Sequence, residues 1–126
     1  MTPESRAWLN KAHSDLDEAA KIAAIGLARA AARSACFAAF HAAQALIVER
    51  SGKTAKTHSG VRAKFAEIAR SESQLDRTFS TFLAQSYKYK EIGDYGIGPE
   101  AAITSADAAD AIARATRFVE GIEKLL

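Results

Sequence analysis

A long alanine-rich stretch from about Leu27 to Ser51 constrains the fold of this chain more than any other feature. Alanine has the highest helix propensity, and its small side chain lets neighbouring helices approach closely. Phe37, Phe40 and Ile47 recur along the stretch at helical spacing, and Gly52 follows it as a stop signal. The stretch therefore predicts a long central helix that contacts other helices on several sides.

The rest of the chain also carries helical patterns, and only three valines occur in it. No alternating apolar and polar run is long enough to predict a sheet. We predict an all-α fold, an up-and-down bundle of four to five helices, which forms a single domain over residues 1–126. The predicted helices span about 2–26, 27–51, 57–71, 72–92 and 104–126, and a loop rich in glycine spans 93–99.

The predicted core is unusually rich in small side chains. Hydrophobic residues make up 48% of the chain, which is ordinary for a folded domain, but 29 residues are alanine. Each buried alanine removes little apolar surface from water, so stability depends on the aromatic, leucine and isoleucine side chains. We therefore expect a homodimer that buries additional surface; the alternative is a modestly stable monomer.

Charge and cysteine content narrow the class of protein. The formal net charge of +2 is too small for a general nucleic-acid-binding protein, in which Lys and Arg are in strong excess. The lone cysteine, Cys36, lies in an apolar run that predicts a small, buried, hydrophobic role. The chain opens without a signal-peptide pattern, and no uncharged run reaches the roughly 18 residues of a membrane-spanning helix. We expect a soluble, cytoplasmic protein that does not contact a membrane.

A local basic surface is predicted between Arg50 and Ala66, where five basic side chains occur without any Asp or Glu. Such a surface suits phosphate better than it suits an apolar ligand. Lys56, which directly precedes the third helix, is therefore a candidate phosphate-binding residue. The five basic residues are Arg50, Lys53, Lys56, Arg62 and Lys64.

The start of the third helix is the most specific candidate binding site. Thr57 is placed to cap this helix, and Arg62 follows about one turn later. The backbone amides of the first three residues would be free to bind phosphate, with the helix dipole, an imidazole and a guanidinium beside them. These three residues are His58, Ser59 and Gly60. The alternative is a solvated helix start with ordinary surface charges.

His41 is a second candidate, because it lies in the apolar part of the second helix with Arg33 about two turns earlier on roughly the same side. Metal-free RNA cleavage needs a neutral imidazole as general base and a cation that binds phosphate. The catalytic candidates are therefore His41 or His58 as base, and Arg33 or Arg62 to stabilise the developing charge. The alternative, and the commoner case for a lone histidine on an apolar helix, is a hydrogen-bonded core residue.

A third candidate is the segment 87–95, in which lysines alternate with tyrosines. Lysines between tyrosines can bind phosphates and stack with bases. The same pattern is typical of a helix end whose tyrosines pack and whose lysines bind terminal carbonyls, and we favour this structural interpretation. The candidate binding residues in the segment are Lys88, Lys90, Asp94 and Tyr95. No His, Cys and carboxylate residues have the spacing of a metal site, so we predict no metal and no other cofactor.

Taken in order along the chain, these segments resemble the HEPN (higher eukaryotes and prokaryotes nucleotide-binding) superfamily, in particular its small, single-domain prokaryotic branch. The resemblance rests on the order of the segments along the chain. The matching residues are Trp8-Leu9-Asn10-Lys11-Ala12 with Asp15-Leu16, Arg33 with Phe37-Ala38-Ala39-Phe40-His41-Ala42-Ala43-Gln44-Ala45-Leu46, Lys56-Thr57-His58-Ser59-Gly60-Val61 with Phe65, and Tyr89-Lys90 with Gly93-Asp94-Tyr95.

The resemblance implies an up-and-down helical bundle that commonly dimerises and that is paired with a minimal nucleotidyltransferase in a prokaryotic toxin–antitoxin or defence system. Catalytic members are metal-independent ribonucleases in which four to six residues separate an Arg from a His. Here seven residues separate Arg33 from His41, and seven separate Arg50 from His58. Arg6 and His13 have the expected spacing, but they lie on the first helix, where the catalytic motif is not expected.

We therefore predict a nucleotide- or RNA-phosphate-binding module that is not an enzyme and that works beside a minimal nucleotidyltransferase. The alternative is an active metal-independent ribonuclease. A further alternative is a structural or interaction dimer that binds no nucleotide. An adjacent nucleotidyltransferase gene would favour the first hypothesis.

Overall fold

Five α-helices form in the part of the chain that the computed structural model describes, residues 1–98 and 102–126. These residues contain no β-strand, so the predicted all-α bundle is confirmed. The helices are α1 (Pro3–Ala24), α2 (Ala28–Ser51), α3 (His58–Ala69), α4 (Arg77–Tyr95) and α5 (Ser105–Glu123).

Local sequence signals explain where four of these five helices begin. Thr2, Thr57, Asp76 and Thr104 each accept a hydrogen bond from a backbone N–H in the first turn of the helix that follows. Asp107 also accepts a hydrogen bond from the backbone of Thr104, which completes a capping box. These side chains satisfy N–H groups that have no partner within the helix, and so they fix its first residue.

The fourth helix differs from the prediction at its start. The apolar pattern predicts a helix from residue 72, whereas α4 begins at Arg77. The reason is Asp76, whose carboxylate accepts the N–H of Thr78 at 2.8 Å and caps the helix there. The preceding residues instead form a turn in which Leu75 N–H donates to the Glu72 carbonyl at 3.0 Å.

The fourth helix also continues past its predicted end at residue 92, through Gly93 to Tyr95. Lys90 donates to Asp94 across one helical turn at 2.8 Å, and this pair stabilises the last turn. The predicted glycine loop therefore begins at Gly96 rather than at Gly93. Pro99, the last residue of that prediction, lies outside the described residues.

The second helix lies at the centre of the bundle, as predicted, and packs against all four of the others. Fifteen of its residues are buried, and most of these are alanines that let the neighbouring helices approach closely. Larger side chains from other helices complete the core. Phe65 of α3 and Phe118 of α5, for example, pack with ring centroids 5.3 Å apart.

Cys36 lies within this core with 1% of its surface exposed, so the predicted hydrophobic role is confirmed. Burial raises the pKa of its thiol to about 12, and the thiol is therefore protonated at neutral pH. The second helix is also long and apolar enough to cross a membrane, but 83% of its most apolar window is buried inside the bundle. That burial is consistent with the core helix of a soluble protein.

Candidate functional site

The start of α3 packs between the middle of α2 and the C-terminal half of α4. The His58 ring meets Phe40 edge-on, with centroids 4.5 Å apart and planes at 88°. Tyr87 lies on another side of the imidazole, 5.3 Å away, and the Arg62 guanidinium lies 4.7 Å from the Tyr87 ring centroid. The predicted pair of His58 and Arg62 thus shares one aromatic neighbour, Tyr87.

Gln44 holds the segment that leads into this helix. It is a buried polar residue among the apolar side chains of α2, and its side-chain amide donates to the Ala55 carbonyl at 2.8 Å and accepts from the Ala55 N–H at 3.1 Å. These two hydrogen bonds fix the backbone shortly before Thr57. The position of His58 therefore follows from a polar residue buried in an otherwise apolar face.

The helix start offers fewer free amides than the sequence predicts. Thr57 accepts the N–H of Gly60 at 2.9 Å, so the Gly60 amide already has an acceptor, contrary to the prediction. The amides of His58 and Ser59 have no acceptor among the described residues. Two N–H groups, rather than three, are therefore available to an anion.

A cleft of about 170 Å³ opens beside this helix start and brings the two histidines together. His41 and His58 both line it, and Lys56 lies at its border. The remaining lining is mostly apolar and includes the rings of Trp8, Phe37 and Phe40. The cleft thus combines aromatic walls, two imidazoles and one ammonium group.

His41 is held in place by Asp15 of α1, whose carboxylate is hydrogen-bonded to the imidazole Nδ1. Only 17% of the His41 side chain and 16% of the Asp15 side chain are exposed. A neutral His41 that donates its Nδ1 proton to Asp15 presents Nε2 as an acceptor, which is the arrangement that a general base needs. Trp8 and Phe37 flank the imidazole, with centroids at 5.5 Å and 6.1 Å.

The pairing of Asp15 with His41 was not predicted, because the two residues lie on different helices, 26 positions apart. A signal was present, however. Asp15 lies three positions after Ala12 and four before Ala19, both of which are fully buried, so it is an acid on the apolar face of α1. A carboxylate in that position requires a polar partner in the core.

Arg33 does not pair with His41. It donates instead to Asp94 of α4 at 2.7 Å, and its guanidinium lies 4.8 Å from the Phe37 ring centroid. Lys90 donates to the second Asp94 oxygen at 2.8 Å. The hydrogen bond from Lys90, followed by the one from Arg33, lowers the pKa of Asp94, and the same Asp94 contact raises the pKa of Lys90. Asp94 therefore forms ion pairs with two of the predicted cations, and the three side chains together keep one positive charge.

The other residues predicted in the segment 87–95 do not converge on the cleft. Lys88 is exposed and does not line the cleft, and Tyr95 is 78% exposed at the end of α4. Tyr87 packs against Phe40 and His58, and Lys90 is paired with Asp94. Tyr87 packs as the structural interpretation of this segment expects, whereas Lys90 binds a carboxylate rather than a terminal carbonyl and Tyr95 stays largely exposed.

The basic surface is smaller than its sequence predicts. Arg50 donates to Glu72 at 2.6 Å, and Lys64 lies 3.5 Å from a Glu67 oxygen, so both charges are offset by carboxylates further along the chain. Among the residues that the structure describes, Lys53, Lys56 and Arg62 have no ion-pair partner. Positive charge in this region therefore concentrates at the start of α3 and in the segment that leads into it.

Two polar atoms at this position are buried and lack a hydrogen-bond partner among the described residues, Nδ1 of His58 and Nε of Arg62. Such groups are rare in folded proteins, because leaving them unpaired is costly. Burial is the main cause that lowers the pKa of His58, and the positive charges of Lys90 and Arg62 lower it further. The imidazole is therefore neutral at neutral pH.

Comparison with known proteins agrees with this fold. The crystal structure of TT1696 from Thermus thermophilus is similar over 99% of this chain and 100% of its own, with a TM-score of 0.85 and 24% sequence identity. At that identity the similarity shows the fold alone. No curated protein matches the sequence. The HEPN domain family matches residues 5–125, nearly the whole length, and the chain therefore belongs to the HEPN domain family.

Proposed function

We propose that this protein is a nucleotide- or RNA-phosphate-binding module and that its site is the cleft beside α3. The observation that carries the proposal is that Lys56, His58 and Arg62 lie at one helix start next to an aromatic-walled cleft. A phosphate there gains from two amides, the helix dipole and the nearby cations. A base gains from apolar contact with the Trp8 or Phe37 ring.

Membership of the HEPN domain family supports a nucleotide- or RNA-related role. The modest net charge of +2 argues for a local site rather than an extended nucleic-acid surface. Within the site, Nδ1 of His58 and Nε of Arg62 have hydrogen-bonding capacity that the described residues do not use. Ligand binding is one physical reason to retain such groups.

The finer part of the proposal is that the module works as a homodimer beside a minimal nucleotidyltransferase, in a toxin–antitoxin or defence system. It rests on the sequence resemblance described above and on no contact within this chain. A neighbouring gene for a small nucleotidyltransferase, followed by co-purification of the two proteins, tests it. Two proteins that elute separately when they are co-expressed would remove the partner from the proposal.

Titration calorimetry with AMP and a short single-stranded RNA tests the binding site. A charge-assisted hydrogen bond contributes about 1.5–3 kcal/mol, and 1.4 kcal/mol corresponds to a tenfold change in affinity. We therefore expect Arg62→Ala to weaken binding about tenfold. Arg70→Ala, which removes an exposed guanidinium at the other end of α3, is the matched control and should bind like the wild type.

Two outcomes would remove the cleft from the proposal. One is equal affinity of the wild type and Arg62→Ala, and the other is no binding by either protein at low salt. Binding should also weaken as salt rises, because phosphate contacts release counterions. Circular dichroism of both variants checks the fold, since Arg62→Ala also removes the contact with Tyr87.

The hydrogen bond between Asp15 and His41 favours a second candidate function, metal-independent RNA cleavage. In this reaction Nε2 of His41 takes the proton of a ribose 2′-hydroxyl, the 2′-oxygen bonds to the adjacent phosphorus, and the bond to the 5′-oxygen breaks. The leaving 5′-oxygen takes up a proton from water, and a 2′,3′-cyclic phosphate remains. Asp15 orients the imidazole and stabilises its charged form.

Cleavage of a labelled RNA in the presence of EDTA tests this second function. We expect His41→Ala to abolish cleavage and Asp15→Asn to slow it strongly. Absence of cleavage by the wild type across a panel of RNAs would rule the second function out and leave the binding proposal intact.

A further inference from the structure

A second concave surface lies on the other side of α4, away from the cleft. A groove of about 640 Å³ runs between α4 and α5, and it is lined by residues from Arg77 to Gln85 and from Asp110 to Phe118. Gln85 lines the groove, whereas Tyr87, two positions later, packs in the nucleotide site. Residues two positions apart on a helix point to nearly opposite sides, so α4 separates the groove from the cleft.

The floor of the groove is aromatic but not flat. Phe79 and Phe82 are half-buried, and each packs obliquely against the buried Phe118, with centroids at 5.7 Å and 5.6 Å and planes at 43° and 48°. Because these rings are tilted against one another, they form an uneven apolar trough. Such a trough suits branched aliphatic side chains better than it suits the flat face of a base.

The walls of the groove are positively charged. Arg77 stands on the α4 side, and Arg114 and Arg117 stand on the α5 side, all with exposed side chains. Asp110 is the one carboxylate in the lining, and it pairs with Arg114 at 3.0 Å. Arg77 and Arg117 have no ion-pair partner among the described residues. Hydrogen bonds from Thr78 are the main cause that lowers the pKa of Asp76, and the charge of Arg117 lowers it further, so this carboxylate lies near Arg117 although it does not line the groove. The groove lining therefore presents an apolar floor between walls that carry three arginines and one carboxylate.

We infer that this groove binds an acidic amphipathic helix of a partner protein. The groove follows more than two turns of two antiparallel helices, which is the shape that a third helix fills. Apolar side chains at positions i, i+3 or i+4, and i+7 of the bound helix would contact Phe79 and Phe82. Carboxylates on the flanks of that helix would pair with Arg77 and Arg117.

The described residues 1–98 and 102–126 do not present such a helix themselves. In the described part, the large hydrophobic side chains that are exposed lie at the chain start, in the turn after α1, or at and beyond the end of α4. They are Met1, Ile25, Leu27, Tyr95 and Ile97. A face-to-face contact of two copies through the groove would also bring arginines against arginines. The occupant is therefore a different chain.

A charge-swap experiment tests the inference. The probe is a labelled peptide of about 18 residues, long enough to form a helix, with leucines on one face and glutamates flanking them. A second peptide carries lysine at every glutamate position. We expect the wild type to bind the glutamate peptide and not the lysine peptide in fluorescence anisotropy. Arg77→Glu/Arg117→Glu should bind the glutamate peptide at least tenfold more weakly and should gain binding of the lysine peptide.

The control is Arg6→Glu/Arg29→Glu, which changes the net charge equally at exposed positions on α1 and α2. It should retain binding of the glutamate peptide. The inference is overturned by no binding of that peptide to the wild type at low salt, or by equal losses in both double variants. It is also overturned if AMP displaces the peptide, because the peptide would then occupy the nucleotide site. A further contrary result is that Arg77→Glu/Arg117→Glu changes the self-association of the protein but not its affinity for the peptide. Arg62→Ala should bind the peptide normally, so failure here is distinct from failure of the nucleotide site.

Discussion

At the scale of single residues, His58 shows how the surroundings of an imidazole set its charge. The ring is packed against Phe40 and Tyr87, and this burial is the first cause of its lowered pKa. The cations Lys90 and Arg62 act in the same direction, as does His41, and only Asp94 opposes them. A bound anion would reverse the balance, because a negative charge beside the ring favours its protonated form.

We therefore predict that nucleotide binding is coupled to proton uptake by His58. Affinity should rise as the pH falls from about 7.5 to about 5.5, because the bound phosphate raises a pKa that is lowered in the free protein. A dinucleoside monophosphate is the suitable ligand, since a terminal phosphate itself titrates near pH 6. Calorimetry at the two pH values measures the effect.

His58→Gln is the control for this coupling. It keeps a polar side chain but does not titrate, so its affinity should change little over the same pH range. A wild-type affinity that is independent of pH, or an equal change in His58→Gln, would show that His58 does not contact the phosphate.

At the scale of helices, the starts of α1, α3, α4 and α5 depend on single capping side chains. The most complete cap is at α5, where Thr104 accepts the N–H of Asp107 at 3.1 Å and Asp107 accepts the N–H of Thr104 at 2.9 Å. This reciprocal pair satisfies two N–H groups at once. It fixes the start of a helix whose residues Phe118 and Ile122 are buried in the core.

We predict that Thr104→Ala lowers the free energy of unfolding by about 1 kcal/mol, because an N–H group at the start of α5 loses its acceptor. Thr81→Ala makes the same substitution at an exposed position inside α4 and should not destabilise the protein, since alanine favours helix. Urea denaturation compares the two variants. Equal effects would mean that the cap does not determine the stability of α5.

The capping residues also show which helix boundaries can be predicted from the sequence. Thr57 and Thr104 lie directly before clear apolar patterns, and the sequence locates both helix starts from them. Asp76 was not predicted as the cap of α4, because the apolar pattern assigned to this helix includes Leu75, which precedes Asp76 in the chain. The C-terminal extension of α4 was missed for a different reason. It is stabilised by Lys90 and Asp94, in a segment where the nearby glycines predict a loop.

At the scale of the whole molecule, the pairing of distant residues was the part that the sequence did not reveal. Asp15 meets His41 and Arg33 meets Asp94 only because α1 and α4 both pack against α2. Periodicity assigns a residue to a face of its own helix but does not say which face of another helix lies opposite. For this reason the candidate residues at the start of α3 could be named from the sequence, whereas the contacts of His41 with Asp15 and of Arg33 with Asp94 could not.

The predicted homodimer belongs to this scale as well. The core contains many alanines, which bury little apolar surface each, so additional burial between subunits would stabilise the fold. We expect sedimentation velocity to show a dimer at micromolar concentration. A single monomeric species across the micromolar range would contradict the expectation, and it would leave the cleft, which lies within one chain, unaffected.

The most direct test of the binding site is a two-dimensional NMR titration of the isotopically labelled protein with AMP. If phosphate binds at the start of α3, the backbone signals of residues 56–62 and of His41 should shift together and saturate with one dissociation constant. The signals of the groove residues Arg77 and Arg117 should not move. Shifts concentrated in the groove, or no shifts at residues 56–62 at saturating AMP, would contradict a nucleotide site in the cleft.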